Sequence, residues 1–324
     1  MRSHHPPHAR RTGLLAAATL LALGLAACGG GGGARTSDGR LRVEASFYPL
    51  QWMAQEIGGE HVEVDSLAAP GAEPHDLELT PRQVAAVQDA GLVAYLSGFQ
   101  PSVDDAIGEA QGTVFDARES ARLDLTTAEG HDHGEGDDHG DAGDHAEEGD
   151  TDAHFWLDPT RLASVAEAFT STLSTADPDH ATAYRTNLRR LQRRLTGLDG
   201  DFRRGLADCT SRDLVTTHAA FGYLARRYDL HQVPISGLSP EGEPSPADQA
   251  AVARYVDAND VRTIYFETLV SDAVAQTVAD ETGARTAVLD PIEGLSDTSP
   301  GDDYLQIMQA NLRNLQQGQP CRPG

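Results

Sequence analysis

The chain has 324 residues, 39% hydrophobic and 23% charged, which is ordinary for a soluble globular protein and enough for two domains with their own cores. Its 25 basic residues, all arginine, face 50 acidic ones, for a net charge of −25. That balance argues against nucleic acid and anionic membrane surfaces as partners and favours cations.

Arg2, Arg10 and Arg11 precede an apolar run over residues 14–27, interrupted only by Thr19 and Gly24. The run is too short to cross ~30 Å of hydrocarbon as a helix and has the length of a signal-peptide core. It ends Leu25-Ala26-Ala27-Cys28, which resembles the lipobox of bacterial lipoproteins. The resemblance implies removal of residues 1–27 and a diacylglyceryl thioether on Cys28, anchoring the protein to the extracytoplasmic face of the cell membrane. The mature chain then holds 22 arginines against 50 acids, a net of −28. Residues 28–39, opening with five glycines, are expected to form a flexible tether.

The next stretch alternates strand and helix signals. Residues 41–46 and 62–67 read as strands, the second by period-two alternation. Thr80-Pro81-Arg82-Gln83 has capping-box spacing with proline at the first helical position. Residues 92–96 form a short, nearly unbroken apolar run, as expected of a strand buried on both faces. Such alternation predicts a parallel sheet and an N-terminal α/β lobe over residues 40–177. Residues 131–150 interrupt it with four histidines (His131, His133, His139, His145), nine acids and five glycines. They have almost nothing to bury and are expected to be a disordered loop.

From Pro159 the apolar residues recur at helical spacing until Asp177-Pro178 breaks and restarts the helix. The second piece, residues 178–207 of a linking helix placed at 178–209, is rich in arginine and would extend ~45 Å, long for a domain helix and suited to a rigid spacer between lobes. Its arginines are expected to make a solvated face with ion pairs along the helix. A C-terminal α/β lobe, residues 210–324, repeats the alternation. Strands are read at 214–217, 232–235, 261–266 and 285–289, with helices starting near Ala219, at Ser245-Pro246, near Ser271 and near Asp302. The fold class is therefore α/β: two lobes, each with a mainly parallel sheet flanked by helices, joined by one long helix. Cys209 and Cys321 are an even pair in an exported chain, so they read as a disulfide or as two buried thiols.

His75, His154, His218 and Asp290 each fall just past an apolar run or in the turn that follows one, where open parallel sheets present their loop residues. Three imidazole nitrogens and a carboxylate oxygen suit a borderline-soft divalent ion, zinc above all. Asp290 precedes a proline, where an aspartate often only forms a turn, so Glu267 and water stand as alternatives for the fourth ligand. Each histidine needs an acceptor on its other ring nitrogen, with Glu73, Glu78, Asp158, Glu267 and Glu293 as candidates. Protons compete for neutral imidazole, so affinity is expected to fall below pH ~6.5. Phe47, Tyr48, Phe99, Phe155, Trp156, Phe221 and Tyr223 read as packing near the site. The sequence has no His-Glu-x-x-His or similar helix motif, so a metallohydrolase is disfavoured and the expected protein is a binder, not an enzyme.

Several segments together carry a family resemblance. Gly71-Ala72-Glu73-Pro74-His75-Asp76-Leu77-Glu78, Asp152-Ala153-His154-Phe155-Trp156-Leu157-Asp158-Pro159 and Thr217-His218-Ala219-Ala220-Phe221-Gly222 resemble the metal-specific solute-binding proteins of ABC transporters, zinc branch. So do Gly237-Leu238-Ser239-Pro240-Glu241-Gly242-Glu243-Pro244, Phe266-Glu267-Thr268-Leu269-Val270-Ser271 and Leu289-Asp290-Pro291-Ile292-Glu293-Gly294, and the likeness spans about residues 40–317. The resemblance implies a metal between two lobes, ligated by His75, His154 and His218, with Asp290 at a position that supplies a carboxylate in some members. Manganese-selective relatives usually carry glutamate in place of His218, so zinc is favoured over Mn2+. It also implies high-affinity zinc uptake with a cognate ABC permease and its ATPase as partners. The segment with His131, His133, His139 and His145 looks like the charged loop of several zinc members, an auxiliary weak zinc collector or else a solvated insertion. Surface adhesion is the other role given to exposed lipoproteins of this kind.

Overall fold

The structure is a computed structural model that describes residues 1, 3, 33–126, 151–240, 242 and 244–322. Cys28, His131, His133, His139 and His145 lie outside the described residues.

Strands β1 (Leu41–Ala45), β2 (Val62–Ser66), β3 (Leu92–Tyr95) and β4 (Thr113–Asp116) form one sheet in the order β2-β1-β3-β4. Strands β5 (Asp213–Thr216), β6 (His231–Pro234), β7 (Thr263–Phe266) and β8 (Arg285–Val288) form a second, in the order β6-β5-β7-β8. Every pairing is parallel. The apolar runs explain which strands are central. Val93 of β3 packs outward with Leu67, Val87 and Val103, while Leu92 and Ala94 face the main core. In β7, Ile264 joins an outer cluster with Val252, Val256 and Val278, and Tyr265 joins the main core. Strands buried on both faces need unbroken apolar character, and these have it.

Helices α1 (Tyr48–Gly58), α2 (Pro81–Asp89), α3 (Pro101–Ile107), α4 (Arg118–Ala121) and α5 (Pro159–Ala176) flank the first sheet. Helices α7 (Gly222–Tyr228), α8 (Pro246–Ala258), α9 (Ala273–Thr282) and α10 (Tyr304–Gly318) flank the second, and α6 (Ala181–Gly205) lies between them in the chain. Their starts follow local chemistry. Thr80 and Gln83 form the capping box that opens α2, and Ser245 with Asp248 forms another at α8, each followed by proline. The main core is continuous from Leu41 through α5 and α6 to Leu315, so both lobes share it.

Three expectations are corrected. The tether does not extend to residue 39: Arg42 N donates to Ala34 O, Gly39 N to Thr36 O, and Arg35 ion-pairs with buried Asp177 at 2.7 Å, so the chain is docked from Ala34 onward. The linking helix is shorter than 178–209, because Pro178–His180 is a separate 3-10 turn and α6 runs 25 residues, ~38 Å. Its N-terminal half also lacks the expected ion pairs along the helix. The pairs belong to Arg194 with Glu56, Arg203 with Asp199 and Arg204 with Asp201, because residues 180–198 contain no acid to place at i±3 or i±4. Beyond α6, Cys209 and Cys321 are joined by a disulfide that fastens the end of the chain to the start of the second lobe.

Candidate metal centre

The loops that leave the two sheets bring His75, His154 and His218 together around one carboxylate, which is Glu293. His75 sits in the loop between β2 and α2, where its backbone N–H donates to Glu73 Oε1 at 3.0 Å. His154 reaches the site after a long excursion that is tied off at its base by a bridge between Thr126 and Thr151 and by Asp152 N donating to Leu125 O. It then stands at the head of a 3-10 turn, Phe155–Leu157, that runs into α5 under the Asp158 cap. His218 follows β5 by two residues.

All three Nε2 atoms converge on Glu293 Oε1, at 2.8 Å from His154 and 3.4 Å from each of His75 and His218. Donors held ~2.0–2.1 Å from a tetrahedral zinc are ~3.3–3.4 Å apart, so two of the three distances already equal the edge of that tetrahedron. The opposite ring nitrogens face carboxylates: His154 Nδ1 is hydrogen-bonded to Asp152 Oδ1 at 2.8 Å, and His218 Nδ1 is in ion-pair contact with Glu267 Oε1 at 2.6 Å. A proton on each Nδ1 leaves the Nε2 lone pair free to point at the centre, which is the usual device for orienting a metal-bound imidazole. Glu293 Oε2 and Glu267 Oε2 are buried with no hydrogen-bond partner among the described residues. Buried, unsatisfied carboxylate oxygen is costly, and a cation is the group that removes the cost.

Electrostatics agree with that reading. Burial pushes the Glu293 carboxyl up, but hydrogen bonds from His154, His218 and His75 outweigh it and hold the group well below the usual range. Burial lowers His154 and His218, yet Asp152 and Glu293 bring the first up to about 9, and Glu267 with Glu293 brings the second up to about 10. Glu73 is driven the other way, by burial and then by the charge of Glu293, to about 8. The metal-free cluster therefore holds protons that an incoming cation must displace. Access is one-sided, since the His75 side chain is 13% exposed and the other three are at most 1% exposed.

Asp290 does not join the cluster. Its Oδ1 accepts from Ile292 N at 2.7 Å and its Oδ2 from Thr268 Oγ1 at 3.0 Å, while Asn311 bridges its backbone N–H and C=O. Those bonds fix a turn in which Ile292 adopts φ 60°, a conformation that a β-branched residue reaches only under constraint. Trp156 Nε1 clamps the same turn by donating to Pro291 O at 2.7 Å. Asp290 thus positions Glu293, and Glu293 is the carboxylate that meets the three rings. The signal for this was the turn itself, since a reversal at Asp290-Pro291 sends the acid three residues later back toward the strand ends. Asp152 was also missed as the partner of His154. Of the other acceptor candidates, Glu78 is exposed and Asp158 caps α5.

The aromatic residues form a wall behind the rings. Phe99 packs edge-on against His75 at 4.6 Å, Trp156 lies 5.2 Å from His154, and Phe47 packs on both Phe99 and Trp156 at 4.9 Å. Tyr48, Phe155, Phe221 and Tyr223 are buried in the surrounding core.

A parallel α/β lobe on each side of a buried three-histidine, one-carboxylate cluster defines a metal-site protein of the two-lobed solute-binding class. The family model for zinc-uptake complex component A, periplasmic (ZnuA), matches residues 43–318, and the chain belongs to that family. It is 37% identical over 300 residues to the high-affinity zinc uptake system protein ZnuA of Bacillus subtilis (strain 168), covering 90% of this chain and 92% of that protein. It is 36% identical over 310 residues to the zinc-binding lipoprotein AdcA of Streptococcus pneumoniae; that match covers 93% of this chain but 59% of AdcA, so the chain spans little more than half the length of that relative. Among solved structures, the Zn(II)-bound ZnuA-like domain of S. pneumoniae AdcA is similar with a TM-score of 0.70 and 32% identity, over 87% of this chain and 99% of that one. The laminin-binding protein Lmb of Streptococcus agalactiae, described as bifunctional with adhesin and metal transporting activity, matches with a TM-score of 0.74 and 29% identity over 86% and 98%.

Proposed function

We propose that this protein captures Zn2+ between its lobes, on His75, His154, His218 and Glu293, and delivers it to an ABC permease driven by a cytoplasmic ATPase. The observation that carries this reading is the convergence of three Nε2 atoms on one buried carboxylate oxygen, at 2.8, 3.4 and 3.4 Å. Three nitrogen donors and one oxygen favour zinc over manganese, which prefers an oxygen-rich octahedral shell. The bacterial relatives named for zinc uptake and zinc binding support the same cargo.

The role asks for capture and release, with no bond-making chemistry in the chain. The excess of acidic residues raises the local cation concentration and steers ions toward the protein. An ion enters past His75, the half-open ligand, and displaces protons from the His154 and His218 rings. Lipidation of Cys28 keeps the protein on the extracytoplasmic face of the membrane, beside the permease. No helix among the described residues is long and apolar enough to cross a membrane. The histidines at 131, 133, 139 and 145 act as weak collectors that feed the site. Adhesion, named for the S. agalactiae relative, is the second reading.

The decisive experiment is a chelator-competition titration of the metal-stripped mature protein. Zinc is expected to bind far below micromolar Kd at one tight site, with Mn2+ weaker. A zinc Kd of micromolar or worse, with the three histidines intact, overturns the proposal.

A further inference from the structure

The solvent-facing stripe of α6 carries Arg185, Arg189, Arg190 and Arg193, all exposed. Between Asp179 and Asp199 the chain has no acidic residue, in a protein with 50 acids among 324 residues. Arg189 bonds only Thr186 Oγ1, at 2.9 Å, and Arg185, Arg190 and Arg193 make no hydrogen bond or ion pair among the described residues. Of the acids beside α6, Glu56 pairs with Arg194, and Asp199 with Arg203 and Arg227. Four guanidinium groups with no acidic partner among the described residues thus lie along ~12 Å of one helix face. The opposite face buries Tyr184, Leu191, Leu195 and Leu198, which fixes the direction in which the arginines point.

The path of the N-terminal segment brings a second, independent observation. Arg35 is pinned to Asp177 at 2.7 Å, and Asp177 also holds His180 at 2.7 Å and the Tyr184 hydroxyl, so the chain joins the folded body at the N-terminal end of α6. Cys28 precedes Arg35 by seven residues, a reach of at most ~25 Å. If Cys28 carries lipid, as in the function proposed above, the start of α6 cannot lie far from the bilayer.

We propose that the Arg185, Arg189, Arg190 and Arg193 face of α6 docks on anionic phospholipid headgroups, laying the anchored protein on the outer leaflet with α6 toward the membrane. The orientation rests on the lipid-anchor reading, while the docking chemistry rests on the arginines themselves. Guanidinium pairs with phosphate oxygens in two-pronged fashion and loses little hydration in doing so. The overall charge is strongly negative, which argues against membrane binding for the molecule as a whole. Screening reduces that objection: at physiological salt a charge is felt over ~8 Å, so the leaflet responds to the charges closest to it and little to the net charge of the whole molecule.

The test uses the full mature chain with Cys28→Ser, so that no acyl chain contributes, and flotation with lipid vesicles. The protein is expected to float with phosphatidylcholine vesicles containing about a third phosphatidylglycerol, to stay behind with phosphatidylcholine alone, and to be released by ~0.5 M salt. Each arginine replaced by glutamine is expected to weaken partitioning about fivefold, and all four together at least about a hundredfold. Arg204→Gln, at an arginine already paired with Asp201, serves as the control and leaves binding unchanged. Circular dichroism and an unchanged zinc titration establish that the four-arginine variant is folded. Binding by that variant equal to its parent, or no binding of the parent to phosphatidylglycerol, overturns the proposal. Recruitment to phosphatidylcholine vesicles only when they contain the reconstituted permease also overturns it, by assigning the face to a protein partner. Failure of the anchor reading shows separately, as absence of palmitate label on the Cys28 chain in cells; the vesicle result still decides the arginine face.

Discussion

In the C-terminal lobe the site residues follow their strands closely: His218 two positions after β5, Glu267 one after β7 and Glu293 five after β8. In the N-terminal lobe the distances are longer, with His75 nine positions after β2 and His154 thirty-eight after β4. Both lobes have the same strand order, the second strand at the edge and the first beside the third. A residue next to a strand end inherits the rigidity of the sheet, whereas one far along a loop must be propped. The props are visible: Glu73 holds the His75 backbone, and Asp152 holds both the backbone N–H and the ring of His154. The C-terminal lobe therefore places its site residues through the sheet itself, and the N-terminal lobe places its own through side-chain props.

The largest expected effect comes from the group shared by both halves. Glu293→Gln keeps the shape and removes the charge, and zinc affinity is expected to fall roughly a hundredfold to a thousandfold, taking the ~10–16 kcal/mol of a structural zinc as divided among four donors. His75→Ala and His218→Ala are expected to lose comparable affinity, but they separate in stability. His218→Ala strands Glu267 in the core and lowers metal-free stability by about 1–3 kcal/mol, whereas His75→Ala does not. Equal melting temperatures for the two metal-free variants would break the contrast between lobes.

Acidity gives the next effect. The metal-free rings of His154 and His218 sit at about 9 and about 10, so both carry protons throughout the neutral range and zinc must displace them. Affinity is expected to rise about tenfold to a hundredfold per pH unit between pH 6 and 8. A curve that flattens above pH ~6.5, as ordinary imidazoles give, would show that the carboxylates do not hold those protons. The sign for folding is opposite. Because the folded values lie above the unfolded ~6.5, these pairs stabilise the metal-free protein fully below that pH and lose their contribution as pH rises through about 9 to 10.

The props come third. Asp152→Asn is expected to cost about tenfold to a hundredfold in zinc affinity, as loss of a ligand-orienting carboxylate does elsewhere. Gly222→Ala reports on the same contact from the other lobe, because a Cβ there would stand 2.6 Å from Asp152 Oδ2 and push it off His154. Asp290→Asn acts one step further out, through the turn that aims Glu293, and is expected to cost about tenfold. A loss from Asp290→Asn as large as that from Glu293→Gln would restore Asp290 as a direct ligand. Smallest on affinity is the paired change Cys209→Ser and Cys321→Ser. It is expected to leave the zinc titration unchanged while lowering unfolding stability by about 2–5 kcal/mol, measured by denaturant melts.

The contrast between lobes also explains what could be read in advance. Strands such as 62–67 and 92–96 announce themselves through alternation or an unbroken apolar run, and Thr80 and Ser245 announce their helices through caps. The four-residue β4 and the seven-residue α3 gave no such signal, since a segment that short carries too few positions to show a period. His75, His154 and His218 were legible because their neighbours repeat a family pattern. Glu293 was read only as an acceptor for a histidine, because its role depends on a turn whose geometry is set by Asn311, Thr268 and Trp156.

Composition and local pattern determined that this is an acidic, two-lobed α/β protein, and they singled out the three histidines that the fold brings together. Those properties depend on residues near one another in the chain, where periodicity, caps and turns act. Which carboxylate meets the three rings, which acids hold the imidazoles, and that four arginines of α6 have no acidic partner among the described residues were decided only by the tertiary structure. Each depends on side chains brought together from distant segments, and a distance in space is not written in any local pattern.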